Sequence, residues 1–247
     1  MFMRRLVNIF GLSVFVFVIL AEVFIPPLSS RALSTAIKNS LKTDEVTVSG
    51  RSLPAVLMLF GQIDRVDIET HKGILGDLRA DELVLHGEGV QMPTDVLTNR
   101  NFAITEADKL ELEGVVTSDD LEEFLRRKID KLQDAKVVIT EKQVVADATP
   151  KLMGIPADIH IEGVFFVEDN KICLRLTNVK IKKILFGQDI GGDLGGVIEL
   201  YDFSRLNMPL ELDSATHEEG RVLLKASRHP GKTYGTGAAP KRKENTR

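Results

Sequence analysis

The chain has 247 residues, 43% of them hydrophobic, with 32 Lys and Arg against 36 Asp and Glu and one cysteine. The first 22 residues carry +1 and the stretch from Arg228 onward carries +5, so within a net charge of −4 the body between them carries −10. Such a body repels phosphate backbones, which argues against nucleic acid as a partner, and a lone cysteine excludes an intramolecular disulfide.

Arg4 and Arg5 precede an apolar run from Leu6 to Ala21 that ends at Glu22-Val23-Phe24-Ile25-Pro26-Pro27. From Leu6 to Ile25 the segment is 20 residues long, enough to span roughly 30 Å of hydrocarbon. The cationic start predicts a cytoplasmic N-terminus with everything after residue 27 on the extracytoplasmic side, at the cell surface or in the periplasm. The one small-x-small site, Ser30-Arg31-Ala32, lies beyond both prolines, so residues 1–27 read as an uncleaved signal-anchor rather than a cleaved signal peptide.

Pro27 and Ser29/Ser30 then read as start signals for a helix carrying Leu33, Ala36, Ile37 and Leu41 at helical spacing. It gives way to an alternating strand, Glu45 to Ser49. The arrangement recurs about ninety residues later: Thr117-Ser118-Asp119-Asp120 opens a helix with Leu121, Phe124, Leu125, Ile129 and Leu132 on one stripe, followed by the strand Lys136–Thr140. Val66-Asp67-Ile68-Glu69 likewise answers Ile159-His160-Ile161-Glu162, and Leu83-Val84-Leu85 answers Ile172-Cys173-Leu174. The pattern predicts two degenerate helix-plus-strands repeats within one body, residues 28–227. Hairpins are expected at Val66–Leu85 around Gly73 and Gly76, at Ile159–Leu176 around Asp169-Asn170, and at Leu210–Leu224 around Glu219-Gly220. The fold class is α+β, a long antiparallel sheet with one buried face over amphipathic helices. From Arg228 the composition turns to Gly, Pro and Lys-Arg-Lys, which reads as a disordered basic tail over 228–247.

No catalytic motif appears. The histidines at 71, 86, 160, 217 and 229 are too far apart for a local metal pair, and His160 reads as a solvent-facing strand residue. Gly191-Gly192-Asp193-Leu194-Gly195-Gly196 lacks the order of a phosphate loop and reads as a bend before Val197–Leu200. Gly231-Lys232-Thr233 has Ala226 where a Walker motif needs glycine. Asp119, Asp120, Glu122 and Glu123 complement a helix dipole, no Ser sits in a nucleophile elbow, and Cys173 is a plain strand residue. Neither a catalytic residue, nor a metal, nor a cofactor is expected.

Apolar bulk is what remains to be accounted for. Leu53-Pro54-Ala55-Val56-Leu57-Met58-Leu59-Phe60 is uncharged throughout, and Gly163–Val167 and Ile184-Leu185-Phe186 add to it. Most of these residues belong to an ordinary core. The sharper expectation is an apolar trough for acyl chains, with Leu57, Met58, Phe60, Phe165, Val167, Leu185 and Phe186 as its lining. With no Trp and only two Tyr, stacking of sugars or bases is disfavoured.

Together, the N-terminal apolar segment, the helix leading to Val46-Thr47-Val48, the Leu53–Phe60 run, Val66-Asp67-Ile68, Leu206-Asn207-Met208-Pro209-Leu210-Glu211-Leu212 and Glu219-Gly220-Arg221-Val222-Leu223-Leu224 resemble the LmeA family of bacterial phospholipid-binding proteins. The likeness runs over residues 28–226. It implies an extracytoplasmic, non-catalytic protein that binds phospholipid for envelope lipid transfer or presentation. It also implies a fold similar to the tubular lipid-binding proteins, a strongly curved antiparallel sheet wrapped about a long helix. The competing expectations are a structural or scaffolding ectodomain with a closed core and no ligand, and a hydrolase of envelope material.

Overall fold

The computed structural model describes residues 2–93, 102–128, 135–149, 151–152, 155–156, 158–182, 190–192 and 196–232. Helix α1 runs without a break from Phe2 to Leu41, with Pro26 and Pro27 inside it. This corrects the expected start after Pro27. A proline within a helix removes a backbone hydrogen bond and costs about 3 kcal/mol, and what offsets the loss lies downstream. Leu33, Ala36 and Ile37 are buried on one face, where each large side chain contributes roughly 1.5–3 kcal/mol. The helix ends where Lys42 turns left-handed (φ 51°) and Thr43 Oγ1 donates to the His71 carbonyl at 2.6 Å. Over the residues whose side chains are described, which begin at Leu20 in α1, no helix is long and apolar enough to cross a membrane, and most of the expected anchor lies outside them.

Strand β1 (Val46–Arg51) is followed by a 3₁₀ segment, Ala55–Phe60, and then by the longest hairpin, β2 (Gln62–Leu75) with β3 (Leu78–Gln91). Gly61 stops the 3₁₀ turn at φ 77°, and a Cβ there would lie 2.1 Å from the Met92 carbonyl oxygen, so only glycine fits. Strand β4 (Lys109–Thr117) leads into helix α2 (Ser118–Lys128). The cap is reciprocal: Thr117 N–H donates to Asp120 Oδ2 at 2.9 Å, and Asp120 N–H donates back to Thr117 Oγ1 at 3.3 Å. Then come β5 (Ala135–Ile139), β6 (Val144–Ala148), the short pair β7 (Lys151–Leu152) and β8 (Ile155–Pro156), and the hairpin β9 (Asp158–Glu168) with β10 (Lys171–Lys182). Strands β11 (Ile190–Gly192), β12 (Gly196–Asp202), β13 (Glu211–Glu218) and β14 (Arg221–Ser227) complete the chain.

All three expected hairpins form. Leu75 pairs with Leu78, Glu168 with Lys171 and Glu218 with Arg221. At the middle one Asp169 and Asn170 both take positive φ, the two-residue turn whose twist suits adjoining strands. The strands do not make one long sheet. Apart from the separate β7–β8 pair, they divide into two open antiparallel sheets, in the orders β1-β2-β3-β4-β14-β13 and β11-β10-β9-β6-β5, with β12 also on β10. Each sheet is introduced by a helix and a short strand and contains a long hairpin. The second differs by inserting β6 between β5 and that hairpin, where the first has the 3₁₀ segment. The expected disordered tail is held at its start, since Arg228 N–H donates to the Leu110 carbonyl at 2.9 Å and His229 Nε2 lies 2.8 Å from Asp213 Oδ1. Residues 233–247 lie outside the described residues.

The sheets meet where β13 crosses β9. Phe165 N–H donates to His217 Nε2 at 3.1 Å, and the two rings lie 5.5 Å apart. Beside them the Asn170 side chain accepts from Leu212 N–H at 2.7 Å and donates to the Leu210 carbonyl at 3.3 Å. His217 is neutral in this arrangement, and burial holds its pKa below the usual 6.5. His160 is the opposite case. Its ring nitrogens face Asp147 at 2.7 Å and Glu162 at 3.2 Å, and these bonds, Asp147's first, raise its pKa above 6.5. The stability that His160 contributes is complete below the unfolded value and lost as pH rises through its folded pKa. That of His217 is present above the unfolded value and lost as pH falls through its folded pKa. Proton-detected titration is expected to place the two histidines on opposite sides of 6.5. The stability advantage of the wild type over His217→Phe is expected to shrink as pH is lowered, and an advantage constant with pH contradicts this assignment.

Candidate functional site

Between the C-terminal turns of α1 and the inner faces of β2 and β3 lies a cavity of about 190 Å³, walled chiefly by Ile37, Leu41, Ile68, Leu75, Leu83 and Leu85. Leu33 and Ile37 are buried between helix and sheet, whereas Leu41 one turn later is only half-buried and Ser40 is exposed, and the space opens beside them. Tyr201 and the Arg205–Met208 segment close the far side. Ser40, Gly76, Arg205 and Asn207 are exposed, so the mouth is polar while the interior is hydrocarbon.

A threonine hydroxyl sits inside. Thr70 is 1% exposed, and its hydroxyl has no hydrogen-bond partner among the described residues. It follows Val66 and Ile68 on the inward face of β2, paired with Val46 on one side and Leu83 on the other. A buried hydroxyl without a partner costs roughly 1–3 kcal/mol. The site therefore offers an apolar wall, a single unsatisfied hydroxyl within and an arginine at the lip, a pattern complementary to an amphiphile. A second, smaller hollow of about 50 Å³ lies between α2 and the other sheet, lined by apolar residues alone, among them Phe124, Leu174 and Ile198.

The model of the LmeA-like phospholipid-binding family matches residues 20–227. The chain belongs to that family. No curated protein and no solved structure matches it.

The LmeA-like body places the expected lining residues at separate points. Leu57, Met58 and Phe60 share the 3₁₀ segment: Met58 is buried beside Leu33 and Ile63, Leu57 is half-buried, and Phe60 is 60% exposed. Phe165 is buried at the seam against His217, and Val167 packs on the core nearby. Leu185 and Phe186 lie outside the described residues. The cavity beside α1 is lined by other side chains. Thr70 had a signal in the sequence, a polar residue in the inward register of an otherwise apolar strand. Ser40, Arg205 and Asn207 had none, because they converge from segments more than 150 residues apart.

The polar clusters of the LmeA-like chain have structural partners. Glu123 pairs with Arg79 and Arg127, and Glu122 accepts from Val137 N–H at 2.9 Å, so the acidic turn of α2 fastens that helix to β3 and β5. Desolvation raises the pKa of Asp120, which nevertheless accepts from Thr117 and faces Arg79. Cys173 is buried in β10, and burial pushes its thiol up, away from reactivity. Strand pairing brings Glu69, His71 and Glu82 together with ligand atoms within 4.8 Å of one another, because residues two apart share a face and His71 sits opposite Glu82. Sequence spacing missed this grouping, and His71 Nε2 already lies within hydrogen-bond distance of Glu69 Oε1, at 3.1 Å.

Thr70→Val keeps the shape and removes the unsatisfied hydroxyl. In lipid-free protein it is expected to raise stability by about 1 kcal/mol, measured by chemical denaturation. A loss of about 1 kcal/mol or more would mean that the hydroxyl has a partner within the fold.

Proposed function

We propose that this chain binds a phospholipid by taking one acyl chain into the cavity between α1 and the β2–β3 hairpin, without catalysis. Membership of a phospholipid-binding family supports the ligand class, and the observation that carries the site is the unsatisfied Thr70 hydroxyl among the apolar side chains of the cavity's inner wall. An ester carbonyl entering with the chain would accept from Thr70, while Arg205 at the mouth suits a phosphate. At 190 Å³ the cavity is below the roughly 300–1,000 Å³ of a site that encloses a whole drug-sized ligand. It thus suits part of one chain, with the headgroup left in water. Burial at about 25 cal/mol per Å² makes that partial insertion a sufficient binding term.

In this reading Arg4, Arg5 and the Leu6–Ile25 run hold the chain in a membrane with its N-terminus cytoplasmic and its body outside. There it transfers or presents envelope phospholipid. The experiment is native mass spectrometry of the purified full chain together with uptake of a fluorescent phospholipid. Expected are a co-purifying lipid, near-complete loss of it in Leu83→Trp, which fills the cavity, and about tenfold weaker uptake in Arg205→Glu. Absence of both lipid and uptake in the wild type, or a Leu83→Trp variant that folds and retains lipid, would contradict the proposal.

A further inference from the structure

Of the large apolar side chains exposed among the described residues, most lie in one corner of the molecule. Leu20, Phe24 and Leu28 recur every fourth residue along one face of α1, with Val23 beside them. Leu53, Val56 and Leu59 recur every third residue and Phe60 follows; in the 3₁₀ segment that spacing gives one face, the buried Ala55 and Met58 giving the other. The two elements pack together, and Ala55 N–H donates to Glu22 Oε1 at 2.9 Å, so both apolar faces form one rigid ridge. No charged residue occurs from Val23 to Ser30 or from Ser52 to Ile63.

Two observations identify what covers this ridge. Helix α1 contains the Leu6–Ile25 apolar run, whose last residues Leu20, Val23 and Phe24 belong to the ridge, so wherever that run enters hydrocarbon the rest of the ridge stands at the surface of the same bilayer. Directly behind the ridge, Arg51 of β1 lies opposite Arg65 of β2 in the ladder. Like charges in that position repel, and Arg65 reaches a carboxylate, Glu88 at 3.0 Å. Arg31 follows on the helix. A phospholipid bilayer with anionic headgroups satisfies both features at once, apolar side chains entering the acyl boundary and guanidinium groups meeting phosphates.

We infer that the corner formed by residues 20–28 of α1 and Leu53–Phe60 is a bilayer-inserting wedge, with Arg51 and Arg65 as its anionic-headgroup contacts. This rests on the reading that the chain works against a membrane, but it is separate from occupancy of the cavity. The chain contains no tryptophan, so Phe60→Trp and, independently, Leu53→Trp give single reporters at exposed positions that leave the core intact. Val197→Trp, also exposed and on β12, is the control.

The full chain is incorporated into phosphatidylcholine vesicles with or without phosphatidylglycerol, and quenching is measured with brominated acyl chains and with aqueous acrylamide. Brominated lipid is expected to remove roughly half the emission of the Phe60→Trp and Leu53→Trp variants and little of that of Val197→Trp. The loss should be greater when phosphatidylglycerol is present, and adding Arg51→Gln with Arg65→Gln should abolish that increment. The inference is overturned if the chain does not associate with either vesicle, or if the reporters of Phe60→Trp and Leu53→Trp stay as open to acrylamide as the control. It is also overturned if their shielding follows protein concentration and ignores bromine, which would mark a contact with a second copy. Native mass spectra of the same variants separate the two readings, since lipid retained in the cavity with both reporters in water would sink the wedge alone.

Discussion

Strand β13 is hydrogen-bonded to β14 in one sheet and meets β9 of the other through Phe165 and His217, so the last hairpin of the chain holds two otherwise open sheets together. Open sheets expose unpaired edges and an apolar face that must be covered. Here the cover comes from α1 over the first sheet and α2 over the second, and the seam keeps the two units in register. The Asn170 side chain adds to it by bonding both Leu210 and Leu212 from the tip of the β9–β10 turn. The half-buried imidazole works as an acceptor only while neutral, which ties the joint between the sheets to pH.

The cavity follows from how the first helix covers its sheet. Large residues at 33 and 37 are buried against the sheet, Leu41 is only half-buried and Ser40 is exposed, and the sheet beneath presents Thr70 where alternation calls for another apolar side chain. A closed core would place Val or Ile there and gain stability. Keeping an unsatisfied hydroxyl in hydrocarbon is a local disadvantage that a ligand's ester group would remove, and sites where sequence departs from packing logic are where function is expected.

Much of this was legible in the residues. Gly76, Asp169-Asn170 and Glu219-Gly220 marked the hairpins because few residues tolerate positive φ, and Thr117 to Asp120 marked the α2 cap through its reciprocal hydrogen bonds. The family resemblance rested on the same patterning, and the family match covers the body it predicted. Other features had no local signature. Passage of α1 through Pro26-Pro27 depends on burial of Leu33 and Ile37 in a sheet formed later in the chain. Division into two sheets depends on β14 pairing with β4 across about a hundred residues. The uncharged Leu53–Phe60 run reads as core because hydrophobicity alone does not say which face is covered, and half of it faces outward.

The central claim is that an acyl chain occupies the space between α1 and the β2–β3 hairpin. It is tested most directly by photo-crosslinking the full chain with a phospholipid that carries a diazirine close to the ester of one acyl chain, followed by peptide mapping. The account predicts adducts on Ile68–Leu75 and Leu83–Leu85, lost when Leu83→Trp fills the cavity. Adducts confined to the leading apolar run and the Leu53–Phe60 segment, with none on β2 or β3, would contradict it.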